Sequence, residues 1–83
     1  MITYYVVQSF YVDQHHRMQP DQPLLAKSEE HARVAAESLA EKKAGVVAFS
    51  RKADPTIGAY EDAVILAQYG HIPFEDAMLD MAS

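Results

Sequence analysis

The sequence predicts an α+β fold: an antiparallel sheet of three or four strands with one main helix packed on a face, plus a short C-terminal helix. Three observations carry this. Residues Ile2–Val12 (ITYYVVQSFYV) are aromatic and β-branched almost throughout. Residues 28–43 place alanines and a leucine at helical spacing behind a serine cap. Residues 45–70 read as two strands joined by a turn.

The first strand has two faces to satisfy. Ile2, Tyr4, Val6, Gln8, Phe10 and Val12 fall on one, and Thr3, Tyr5, Val7, Ser9 and Tyr11 on the other. Both are substantially apolar, whereas a strand wet on one side alternates apolar with polar. It is therefore expected to be central in the sheet and covered on both faces. Residues 13–21 are polar and read as a loop, and Pro20 and Pro23 exclude a helix there. Residues 24–27 are expected to form a short edge strand, where a proline at the start does least harm.

Ser28 suits an N-cap, and Glu29 and Glu30 sit where the helix dipole favours negative charge. Ala32, Ala35, Ala36, Leu39 and Ala40 share a face, while Val34 lies off it. Lys42 and Lys43 suit the end of the helix, and Gly45 is placed to terminate it. Val46, Val47, Ala48 and Phe49 then open the hairpin, and residues 63–67 (AVILA) return it. Asp54, Pro55 and Gly58 specify the turn: Asp for its first position, Pro for its fixed φ, Gly for a left-handed residue. After His71-Ile72-Pro73, residues 74–81 carry Phe74, Ala77, Met78 and Met81 on one face and read as the short second helix.

Eighty-three residues make a single domain spanning 1–83, with a modest core. The formal charge of −5 argues against a phosphate backbone as partner, so nucleic acid is not expected. There is no cysteine, which removes disulfides and thiolate metal sites and fits a reducing compartment. No apolar run is long enough to span a membrane, and no basic region precedes the first strand as in a secretory signal. A cytoplasmic location is the expectation.

Candidate chemistry is sparse. Asp13, His15 and His16 cluster in the first loop, but a metal site needs three or four convergent ligands, and His31 and His71 are distant in sequence. A solvated loop explains the cluster better. Arg51, Asp54, Tyr60, Glu61 and Asp62 gather about the hairpin turn, with His71 considered beside them. This group could hold an anion or supply a carboxylate acid or base with a histidine; it also reads as ordinary cross-strand charge on an exposed hairpin end. The five tyrosines and three phenylalanines lie in the most apolar strands, not in basic surroundings, so they read as core or interface and not as a base-stacking platform. The serines lack a nucleophile elbow, and the three glycines mark element ends, not a phosphate loop.

The run Tyr4-Tyr5-Val6-Val7-Gln8-Ser9-Phe10, Ser28-x-x-His31-Ala32, Gly45-Val46-Val47-Ala48-Phe49-Ser50-Arg51 and Asp54-x-x-x-Gly58-x-Tyr60-x-x-Ala63-Val64-Ile65-Leu66-Ala67 with Gly70-x-Ile72-Pro73 resembles a family of small uncharacterised bacterial proteins. That resemblance implies no activity, cofactor or site residue. A looser analogy is to dodecin-like small α+β proteins, from the order of elements and the Ser28-x-x-x-Ala32 helix start; this chain has no tryptophan to stack a flavin.

The expected function is a non-catalytic domain that self-associates as a homodimer or higher oligomer, or binds another protein, without a cofactor. Strands apolar on both faces leave surface that a single helix cannot cover. The alternative is a small-molecule-binding protein with its ligand at the subunit interface, near Tyr60, Arg51 and His71.

Overall fold

A computed structural model describes residues 1–72. The expected helix at 74–81 lies outside the described residues. Within them, seven elements follow one another: β1 (Ile2–Val12), β2 (Met18–Pro20), β3 (Leu24–Ala26), α1 (Glu29–Ala40), β4 (Gly45–Asp54), β5 (Ala59–Tyr60) and β6 (Val64–Gly70). The sheet they form holds six strands, all antiparallel, where three or four were expected.

The extra strands arise because both edges are broken. β2 and β3 pair with the same side of β1, meeting Phe10–Val12 and Tyr5–Val7 respectively, and the chain between them holds Pro23, which cannot donate to a ladder. β5 and β6 likewise share one side of β4, separated by Glu61, Asp62 and Ala63. The six strands thus stand in four ranks, with β1 and β4 in the middle, paired from Ile2↔Ala53 to Phe10↔Gly45.

α1 is capped by Ser28, whose Oγ accepts from the His31 amide at 3.1 Å. His31 answers through Nδ1, which accepts from the Lys27 amide at 3.1 Å. The helix ends at Ala40, earlier than the expected residue 43, with Glu41 as a right-handed C-cap. The Lys42 and Lys43 amides both donate to the Leu39 carbonyl, so the last turn tightens without a glycine. Gly45 does a different task from the one expected: a Cβ there would collide with the carbonyl oxygen of His71. The smallest residue lets the end of β6 cross the start of β4, where the His71 amide donates to the Ala44 carbonyl.

The core lies between α1 and one face of the sheet. Ala32 and Ala36 are fully buried against Val7, Val46 and Ala48, with Tyr5, Leu39, Leu66 and Tyr69 packed around them. Alanine side chains bring the helix backbone close to the sheet, which limits apolar area per residue but leaves no room for larger groups. A β-bulge in β6 serves the same face. Ala48 pairs with Ala67 and Phe49 with Ile65, so Leu66 is the additional residue. Leu66 and Ala67 then both reach the helix side. The Leu66 carbonyl accepts from Arg33 Nη1 on α1 at 2.6 Å, so the helix and the bulge are tied together.

Ala36→Leu forces a larger side chain into the tightest part of this contact and is expected to cost about 1–3 kcal/mol. Thermal unfolding followed by circular dichroism measures it, with Val34→Leu on the exposed side of α1 as the unaffected control.

Candidate functional site

Strand alternation assigns the other face of the sheet. Because Tyr5 and Val7 meet the helix, Ile2, Tyr4 and Val6 point away from it. Register carries this across the ranks. One row runs Leu25–Val6–Phe49–Ile65, a second pairs Tyr4 with Arg51, and a third runs Ile2–Ala53–Tyr60. The first strand was expected to be covered on both faces; over this half it is not. Leu25 is 69% exposed, Ile65 48%, Ile2 47% and Tyr60 63%. Val6, Phe49 and Arg51 are half-buried among them. Ala53 in the third row is buried, as are Val47 and Phe10 further along the same face; α1 packs on the opposite face.

Arg51 is the one charged group within these rows. Its guanidinium carbon lies 5.3 Å from the centroid of the Tyr60 ring, and its Nε donates to the Glu61 carbonyl at 3.0 Å. Among the described residues its terminal nitrogens have no hydrogen bond and the guanidinium has no ion pair; the ion pairs there are Arg33–Glu29 and Lys43–Asp21.

Of the six residues singled out at the hairpin end, the structure brings together Arg51, Tyr60 and Glu61, the last through its backbone. Asp62 is exposed beside them on the segment joining β5 to β6. Asp54 Oδ1 accepts from the Thr56 amide at 3.0 Å, so its carboxylate builds the turn. Gly58 closes that turn at φ 69°. His71 is separated from the rest: it follows Gly70, which pairs with Gly45, whereas Tyr60 pairs with Ala53. Eight positions along β4 amount to about 26 Å. His31 caps α1 on the opposite face. Neither histidine meets the Glu61 or Asp62 carboxylate, so the acid–base pairing considered from sequence is not assembled among the described residues.

The Asp13 cluster is a turn. Oδ1 of Asp13 accepts from the His15 and Arg17 amides at 2.8 and 3.0 Å, and Oδ2 accepts from Gln19 Nε2 at 3.1 Å. His16 takes φ 61° to close it. The hydrogen bond from the Arg17 amide, more than any other contact, lowers the Asp13 pKa. Asp21 is lowered too, first by its hydrogen bond from Lys43 Nζ at 2.7 Å. No three histidine or carboxylate groups converge as a metal site among the described residues. No helix among them is long and apolar enough to cross a membrane.

Sequence reasoning missed Leu25, Val6, Phe49 and Ile65 as a unit. The signal was present in the alternation of β1, but the bulge at Leu66 decides which residue of β6 joins the row. Comparison with protein-family models, curated proteins and solved structures finds no match to this chain.

Asp13 and Asp21 set an acid limit on stability. Each is lowered in the folded chain from an ordinary value of 3.8, so its stabilisation is whole above that value and is lost as pH falls through the folded one. Asp21→Asn is expected to flatten the acid limb of a Tm-against-pH curve below about pH 4. An unchanged limb would show that the Lys43 contact is not formed in solution.

Proposed function

We propose that this chain is a non-catalytic cytoplasmic interaction domain that works by self-association. The observation that supports it is the open sheet face carrying Leu25, Val6, Phe49, Ile65, Tyr4, Ile2 and Tyr60. Its composition is that of an interface centre, where aromatic, aliphatic and arginine side chains are enriched over lysine and carboxylates. Four ranks at the widest row and five residues along bound the face at roughly 300 Å². That is within the range of the largest apolar patch on a typical soluble monomer, which often marks a functional surface. The area is less than half of the roughly 800 Å² per partner in a standard stable interface. Association is therefore concentration-dependent and reversible, not permanent.

A second reading, a small-molecule site between subunits, draws on one observation: Arg51 is fixed on Tyr60 with its terminal nitrogens facing no partner among the described residues. An anionic, flat ligand would suit that pair. Absorbance and native mass spectra of the purified protein test it; a mass equal to the bare chain and no chromophore count against it.

Sedimentation equilibrium from micromolar to millimolar concentration tests the leading reading. The wild type is expected to rise from its 9.3 kDa monomer mass towards twice that value, whereas Ile65→Glu and Leu25→Glu stay near 9.3 kDa. Both positions are exposed, so the fold tolerates the change. A wild type that holds the monomer mass throughout sinks the reading.

A further inference from the structure

We propose that two copies of this chain dock this face on itself about a two-fold axis, with Arg51 of each copy paired to the Glu61 and Asp62 carboxylates of the other; the proposal rests on the self-association reading above.

Charge is the reason for choosing a second copy over another partner. Arg51 is a half-buried cation in an apolar face with no carboxylate partner among the described residues. Glu61 and Asp62 are exposed carboxylates at the same corner, with no cation paired to them among those residues either. Arg51 lies close to Glu61, but its Nε engages the backbone carbonyl, and the carboxylate stays out of ion-pair range. The Tyr60 ring and that hydrogen bond fix the guanidinium plane, so its two terminal nitrogens are presented as a ready fork for a carboxylate.

A surface that carries both signs beside one apolar field is complementary to itself. A two-fold contact brings residue i to j and j to i, so each unsatisfied group finds its opposite and does so twice. A purely acidic partner would meet Arg51 but be repelled by Glu61 and Asp62. A basic partner would meet the carboxylates but press against Arg51. The chain's own face, which carries both signs in the same arrangement, satisfies both at once. The apolar rows then provide the attraction, and the charges set orientation and exclude other alignments.

The experiment is a charge swap read by sedimentation. Arg51→Glu alone, and Glu61→Lys with Asp62→Lys together, are each expected to weaken homodimerisation roughly tenfold or more, because each places like charges across the axis. An equimolar mixture of the two is expected to recover near wild-type association. In the mixed pair the carboxylate introduced at position 51 of one variant faces the two ammonium groups introduced in the other, while the second variant's native Arg51 faces the first variant's native Glu61 and Asp62. Circular dichroism melts establish that each variant is folded. Association that is indifferent to the swaps, or a mixture that fails to recover, overturns this geometry while leaving self-association standing. A wild type that never associates removes both.

Discussion

The fold depends on the contact between Ala32 and Ala36 of α1 and the Val7, Val46 and Ala48 side chains beneath them. It is a contact of small groups, so the helix sits close and its orientation is fixed by shape. It is also narrow. A helix of twelve residues is about 18 Å long and about 10 Å wide, enough for one face of a four-rank sheet and no more. The exposure of the half of the other face built on Ile2, Tyr4 and Val6 is consistent with that limit. The helix side takes the alanines, Tyr5, Leu66 and Tyr69, and the rows built on Ile2, Tyr4 and Val6 are left outward.

The two sheet edges are handled differently. The β2–β3 edge is short, interrupted and marked by Pro20 and Pro23, all of which discourage strand addition. The β6 edge is a longer strand of uncharged residues, and its protection is the bulge at Leu66 with Arg33 closed over the carbonyl. That arrangement makes β6 a poor template for another strand along its middle. The face is the better candidate for contact between copies than the edge, because it offers apolar side chains from four ranks at once.

Much of this is legible in the residues. Tyr5, Val7 and Ser9 against Tyr4, Val6 and Gln8 mark β1 as central, and Asp54, Pro55 and Gly58 mark where β4 turns. Ser28 marks the start of α1. The end of α1 is misjudged because Lys42, Lys43 and Gly45 imitate a helix terminus, while Gly45 is small for the sake of the His71 backbone crossing it. The strand count is misjudged because Pro23 and the Glu61–Asp62 pair each break an edge that sequence alone reads as continuous or absent. The residues of the candidate cluster divide for a register reason. Arg51, Tyr60 and Glu61 converge across one turn, whereas His71 sits a whole strand away. Proximity in sequence predicts the first three; only pairing excludes the fourth.

The central claim is that the face opposite α1 is where copies of this chain meet. Dilution of isotope-labelled protein, followed residue by residue through amide chemical shifts, tests it most directly. Shift changes confined to Ile2, Tyr4, Val6, Leu25, Phe49, Arg51, Tyr60 and Ile65, with Val34 and Glu37 on the outer side of α1 silent, are the expected result. Changes centred on the outer side of α1, or no change on dilution from millimolar to micromolar concentration, would contradict it.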